Sequence, residues 1–216
     1  LKTIDNAAFA GCLGLESIAI PSSVDTFGAK LFMSCTALKT ADLGGEDASL
    51  MVIPESCFFS CTSLEEVRIP DSVTAIGREA FFGCSSLKQI TIPSSVTYIG
   101  TNAIGKKYDT RSGAVETVDD FLIFGKTGSV ANLYARSSGI EFIDPEVNEL
   151  GDVDRDGFID STDASAVLGE YAMLSTGEDG SFTAGQKYLA DVDGNGEINS
   201  MDASAILIIY ADRATS

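Results

Sequence analysis

The sequence predicts a mixed fold: a β-rich repeat solenoid of short parallel strands over residues 1–143, a linker over 144–150, and a small all-α unit with two loop–helix motifs over 151–216. Three observations predict it. Several rows of residues recur together through the first part of the chain. A twelve-residue pattern rich in side-chain oxygens occurs twice in the last part. The charge is also uneven: of 32 Asp and Glu and 14 Lys and Arg, residues 151–216 hold 13 acids and 3 bases.

Self-similarity at a fixed period decides the architecture of the first part. Phe9, Phe32, Phe58 and Phe81 are spaced by 23, 26 and 23 residues, and Cys12, Cys35, Cys61 and Cys84 keep that register, as do Leu15, Leu38, Leu64 and Leu87. Ile4, Phe27, Ile53, Ile76 and Ile99 form another row. The longer interval comes from three extra residues in the acidic stretch 44–50. In each unit a segment such as Leu87, Ile90, Ile92 alternates like a strand with one buried face. Pro21, Pro70 and Pro93 end such strands, having no N–H for a ladder. One unit exposes an apolar edge that the next must cover, so the units stack. The pattern resembles the leucine-rich repeats of the BspA-like type, which implies a solenoid of the kind carried by secreted and surface proteins of bacteria.

Residues 121–143 differ from the repeat and suit a strand–helix–strand end piece, with Ser129 as N-cap and Val130, Leu133 and Tyr134 on one helix face. A cap of this kind protects the last rung from being an open sheet edge. Gly125-Lys126-Thr127 echoes a phosphate loop, but Asp120 stands where that motif needs Gly, so a turn is expected. The Cys row reads as a buried thiol ladder with Cys57 as an extra core residue. Rungs ~4.8 Å apart hold Cβ atoms beyond the ~3.8 Å of a disulfide, and five cysteines cannot all pair. The strand positions facing outward are Ser17, Ala19, Thr40, Asp42, Glu66, Arg68, Gln89 and Thr91. They are small or mixed and lack an aromatic anchor, leaving spacer and binding platform both open for the solenoid.

In the last part, Asp152, Asp154, Asp156, Asp160 and Asp163 occupy positions 1, 3, 5, 9 and 12 of a twelve-residue loop with Gly157 at position 6. The pattern returns 39 residues later as Asp191, Asp193, Asn195, Asn199 and Asp202 around Gly196. A hard cation such as Ca2+ takes 6–8 oxygens, supplied from alternate loop residues, with Gly at the sharp turn. Position 7 lends its backbone carbonyl, which frees the side chains of Phe158 and Glu197 to vary. Two Ca2+ ions are therefore expected. Magnesium, which prefers a rigid octahedron with retained waters, suits these loops less. Ile159 and Ile198 at position 8 are expected to point inward and tie the loops together.

Position 12 is Asp rather than Glu, and no helix-forming segment is evident before either loop. A loop followed by a single helix, twice, resembles type I dockerins over the whole segment. That resemblance implies calcium-dependent binding to a cohesin module of a scaffoldin, in cellulosomes that degrade plant cell-wall polysaccharides. It also implies a secreted, extracellular, cellulosome-associated protein. Helices are expected over about 161–173 and 200–212, with Ala164, Val167 and Tyr171, and Ala203, Ile206 and Tyr210, facing a small core. The opposite faces carry Ser161, Thr162, Ser165, Leu168 and Gly169 in one copy, and Ser200, Met201, Ser204, Leu207 and Ile208 in the other. The resemblance implies that these residues, by their position, form the cohesin-binding face. Met201, Ile208 and Ile209 against Thr162, Gly169 and Glu170 make the last helix the more apolar outside, so it is expected to dominate docking. With few apolar residues in this unit, ion binding is expected to supply much of its folding free energy.

The composition also excludes classes. A formal net charge of −18 repels nucleic acid and anionic membranes, and no run approaches the 18 apolar residues of a membrane span. With no His in the chain, Ser-His and Cys-His nucleophile schemes are unavailable, so no catalytic constellation is expected here. The chain opens inside a repeat, which suggests a fragment of something larger, an upstream enzyme included. An adhesion or inhibitor role for the solenoid, with an unknown protein or carbohydrate ligand, is the further alternative.

Overall fold

Each repeat forms one rung, because its apolar rows all point to one side and its polar strand residues to the other. In the computed structural model, which describes residues 1–45 and 47–215, the elements run in chain order as follows. They are β1 (Thr3–Ile4), β2 (Ser17–Ala19), β3 (Thr26–Phe27), β4 (Thr40–Asp42), β5 (Val52–Ile53), β6 (Glu66–Arg68), β7 (Ala75–Ile76), β8 (Gln89–Thr91) and β9 (Tyr98–Ile99). After these come β10 (Lys106–Tyr108), β11 (Val115–Thr117), β12 (Leu122–Phe124), α1 (Val130–Ser138), β13 (Glu141–Ile143), α2 (Ser161–Ser175), α3 (Ala184–Ala190) and α4 (Ser200–Ala214). The chain divides into two units, Leu1–Phe142 and Ile143–Ser216. Of the expected insertion over 44–50, Glu46 lies outside the described residues.

The rungs pair in parallel on two faces. On one, Ser17 stands opposite Thr40 and Thr40 opposite Glu66, joining β2, β4 and β6. On the other, Ile53, Ile76 and Ile99 align across β5, β7 and β9. All eight outward positions from Ser17 to Thr91 are exposed, while the residues between them point inward. The first face is not one continuous sheet. β8 pairs with β12, Ile90 opposite Ile123, rather than with β6, which leaves an open cleft lined by Glu66, Arg68, Gln89 and Thr91.

Inside, the Phe row becomes a stack of rings. Centroids lie 5.3 Å apart for Phe9 and Phe32 and 5.1 Å for Phe32–Phe58 and Phe58–Phe81, close to the ~4.8 Å strand spacing that sets the rung repeat. The Cys row donates along the same axis: the thiols of Cys35, Cys61 and Cys84 point at the carbonyls of Phe9, Phe32 and Phe58 at 3.0, 3.0 and 3.2 Å. Burial pushes the Cys61 thiol up to about 12, and Cys57 and Cys84 well above the ordinary value, so these are packing groups, not thiolates. Cys12 departs from the expected buried ladder. It is exposed, as are most of the described residues of that rung.

Two features of the repeat have a steric cause visible only in three dimensions. At Gly28, Gly77 and Gly100 a Cβ would fall 2.2, 2.5 and 2.5 Å from the backbone nitrogens of Asn6, Glu55 and Arg78 in the preceding rung. The next recurrent position, Ala7, Lys30, Ser56, Glu79 and Asn102, holds φ between 53° and 59°, a left-handed turn forced on L-residues by the rung's corner.

At the end of the array, β10 and β11 form an antiparallel hairpin that the sequence pattern did not announce, its turn fixed by the Asp109 carboxylate accepting from the Arg111 and Ser112 amides at 2.7 and 2.6 Å. The expected end piece follows as β12, α1 and β13. Ser129 caps α1, accepting from the Asn132 amide, and Gly139 closes it at φ 65°. The buried face of α1 is Ala131, Tyr134 and Ala135, not the expected Val130, Leu133 and Tyr134; Leu133 is exposed. The Tyr134 hydroxyl turns the helix this way, because it both accepts from the Ile104 amide and donates to the Ile104 carbonyl, each at 3.0 Å. Lys126 and Thr127 lie in the bend before α1.

The glycine constraint is testable. Gly77→Ala is expected to lower the stability of the purified chain by about 1–3 kcal/mol through overpacking. Gly14→Ala, where a Cβ meets nothing within 4 Å, is expected to stay within about 0.5 kcal/mol. Thermal unfolding followed by far-ultraviolet circular dichroism distinguishes them, and equal losses would refute the steric argument.

Candidate metal centre

The second unit is assembled from two loop–helix halves that share one set of backbone contacts. In the first loop the Asp152 carboxylate accepts from the Asp156 and Gly157 amides, both at 3.1 Å. In the second, Asp191 accepts from Asn195 and Gly196 at 3.0 and 2.9 Å. Gly157 and Gly196 take φ 90° and 83°, a turn that favours glycine. The last residue of each loop is buried and grips its start. Asp163 accepts from Val153, Asp154 and Asp160 at 2.8, 3.2 and 3.0 Å, and Asp202 from Val192, Asp193 and Asn199 at 3.0, 3.4 and 3.0 Å.

These contacts lead straight into the helices. Asp160 and Asn199 are the N-caps of α2 and α4, accepting from Thr162 and Met201 at 2.6 and 2.7 Å, and Asp163 and Asp202 complete the capping boxes. Loop and helix are thus one cooperative piece. One carboxylate oxygen from each of Asp152, Asp154 and Asp156 lies within 4.8 Å of the others, as does one from each of Asp191, Asp193 and Asp202. Burial above all, with a smaller push from the charges of Asp163, Asp154 and Asp156, holds the Asp152 carboxyl above its ordinary value. The donor set is entirely oxygen, and its crowding is costly without a counter-charge, so the residues present fit a hard divalent cation. Phe158 at position 7 turns its ring outward and is 70% exposed, leaving its backbone carbonyl on the loop; Glu197 is exposed likewise.

Ile159 is buried and Ile198 half-buried in the core shared with Val153, Ala164, Val167, Ala190, Ala203 and Ile206. α2 and α4 each run two residues beyond their expected ends. A third helix was not anticipated: α3 leads directly into the second loop, with Asp191 as its C-cap, and Thr183 and Gln186 form its capping box. The Thr183–Gln186 spacing is a capping-box signature, so a signal was there to read.

The helix faces differ from the expected ones at one position each. Ala164, Val167, Ala203 and Ile206 are buried, but Tyr171 and Tyr210 are 40% and 45% exposed. One turn past Val167 the buried place goes to Glu170, and past Ile206 to the half-buried Ile209, so neither belongs to the exterior. Glu170 is a fully buried acid because it finds donors: its carboxylate accepts from the Ser181 amide and hydroxyl at 2.7 and 3.0 Å and from the Phe182 amide at 3.2 Å. Gly180 permits that approach, since a Cβ there would sit 2.0 Å from Glu170 Oε1. Of the residues expected on the docking face, Ser161, Thr162, Ser165, Leu168, Ser200, Met201, Ser204, Leu207 and Ile208 are all exposed. Ser165 and Ser204 donate back to the Ser161 and Ser200 carbonyls at 2.7 and 2.8 Å.

Comparison with known families finds a match within each unit. The BspA type leucine rich repeat region matches residues 1–110 in six copies. The chain belongs to this family. The dockerin type I domain matches residues 150–208, so a BspA type repeat region is followed by a type I dockerin. Neither matched family is catalytic. Among solved structures, a leucine rich repeat protein of T. pallidum is 28% identical with a TM-score of 0.49, covering 57% of this chain and 52% of that one. One from Bacteroides ovatus is 37% identical with a TM-score of 0.43, covering 46% and 25%. One from Eubacterium ventriosum is 27% identical with a TM-score of 0.36, covering 52% and 38%. The chain therefore spans about half or less of each of these proteins. No match was found among curated proteins. No helix among the described residues is long and apolar enough to cross a membrane.

The clamp at Glu170 carries a prediction. Glu170→Ala strands the Ser181 and Phe182 donors and is expected to destabilise the dockerin by about 1–3 kcal/mol, read as a lower melting temperature of the helical signal in excess calcium. Glu178→Ala, at an exposed position, serves as the control.

Proposed function

We propose that the chain is a non-catalytic component of a secreted, cellulosome-type assembly, in which the dockerin binds a cohesin module of a scaffoldin in a calcium-dependent manner. The observation that carries this reading is the pair of matched oxygen-rich loops, each running into a helix with an exposed face, within a segment that matches the dockerin type I domain. On this reading Asp152, Asp154, Asp156, Asp160 and Asp163 with the Phe158 carbonyl hold one Ca2+. Asp191, Asp193, Asn195, Asn199 and Asp202 with the Glu197 carbonyl hold a second. Bound calcium supplies the positive charge that relieves repulsion among these oxygens. The protein's own part is structural: the position-12 carboxylates hold each loop against its helix, and the N-caps direct the helix faces outward. The solenoid serves as a spacer or a protein-binding platform, its polar outward strands and the cleft between β6 and β8 being the surfaces available to a ligand.

Titration of the chain against a panel of cohesins by calorimetry tests the reading. Binding is expected in calcium and lost in EDTA, together with the helical circular dichroism. Binding that survives EDTA, or a failure to bind any cohesin, would overturn it.

The two halves present unequal faces. Met201 and Ile208 are 66% and 62% exposed, where α2 offers Thr162 and Gly169. Exchanging Leu207 and Ile208 for Asp is expected to weaken cohesin binding at least tenfold more than the same exchange at Leu168 and Gly169, because apolar anchors dominate interfaces. Equal losses would show that α4 does not dominate.

A further inference from the structure

The two loops are a natural comparison, since their backbone hydrogen bonds agree contact by contact while their donor atoms do not. Position 5 is Asp156 in one and Asn195 in the other, and each side chain accepts from the residue two places on, Phe158 at 2.8 Å and Glu197 at 2.7 Å. Position 9 is Asp160 or Asn199. The first loop thus presents five carboxylates at its donor positions and the second three, with two amides. Arg155 and Glu197 bring the net charge of the two loops to the same −4. Both are exposed, and screening makes such peripheral charges count for less than atoms that touch the ion.

The amides also change what each loop does by itself. Asn195 Nδ2 donates to Asp193 at 2.9 Å, and Asn199 Nδ2 to the Glu197 carbonyl at 3.5 Å. The second loop therefore answers part of its own negative charge. In the first, carboxylates replace both amides, and no side-chain donor is available at these positions. Crowded carboxylates raise the affinity of an oxygen loop for calcium, since affinity follows the charge count of the donors. Self-neutralised ones lower it.

We propose that the two loops load in order, the first at lower calcium than the second, and that filling of the second loop is the step that secures α4. This rests on the calcium reading given above. The link to α4 lies in shared residues, because Asn199 and Asp202 are donors of the second loop and, at once, the N-cap and capping-box partners of that helix. Partial loading would then leave α2 anchored while α4, with its more apolar exterior, remains unsecured.

The uniformly 15N-labelled full chain, titrated with calcium in chelator buffers, reports each loop separately, since the Gly157 and Gly196 amides donate to Asp152 and Asp191. The Gly157 signal is expected to move at a free calcium at least about tenfold below that of Gly196, and the Met201 amide, which donates to Asn199, to follow Gly196. Asn195→Asp is expected to draw the Gly196 midpoint down toward that of Gly157, and Asp156→Asn to raise the Gly157 midpoint. Simultaneous movement, Gly196 moving first, or a Gly196 midpoint unchanged by Asn195→Asp would overturn the ordering while leaving the calcium reading intact. Met201 following Gly157 would overturn the link to α4. If neither glycine moves, the calcium reading itself falls and the ordering with it.

Discussion

One carboxylate in each half of the dockerin joins everything around it. Asp163 accepts three backbone N–H groups from its own loop while standing in the first turn of α2, and Asp202 does the same for α4. A charged acceptor satisfying several amides is worth more than a neutral one, and both are buried, where losing a partner is costly. The short Asp side chain keeps its oxygens at the loop backbone. The cap, the loop curvature and the gathering of the remaining carboxylates all depend on that residue staying where it is.

The gathered oxygens are a source of tension as well as a set of donors that fits a cation. Three carboxylates within 4.8 Å repel one another, and the unit has only a small apolar core to oppose them. On the proposed calcium reading, ion binding and folding would be one free-energy change. Glu170 is a different solution to the same problem of a buried acid: it is neutralised by amide and hydroxyl donors from 181 and 182 rather than by a cation. The second copy places Ile209 there, so the two halves are less symmetric inside than the loops suggest.

The solenoid obeys a separate constraint, the rung spacing. Rings, thiols and strands all repeat at the interval of neighbouring parallel strands, so a residue that fits one rung must fit its neighbours. This is why a glycine is required where the rungs' backbones nearly touch, and why Cys57, Cys61 and Cys84 are packing groups. The solenoid's exterior escapes the constraint, which is why its outward residues vary in charge and size.

The periodic part of the molecule was legible in the sequence because periodicity is a property of spacing alone. The rows at Phe9, Cys12, Leu15 and Ile4 imply stacked parallel rungs, and the twelve-residue patterns at Asp152 and Asp191 imply paired oxygen loops, whatever the details of packing. What tertiary structure decided was which of two neighbouring residues faces in. Spacing places Glu170 and Tyr171 almost equally well behind Val167, and only the donors at 181 and 182 favour the acid. Leu133 lost its place to Ala135 because the Tyr134 hydroxyl bonds Ile104, thirty residues away. The same holds for the β6–β8 cleft and the exposure of Cys12, since strand pairing and burial depend on neighbours that no local pattern names. Spacing along the chain determines which residues repeat; contacts between distant segments determine what each repeat touches.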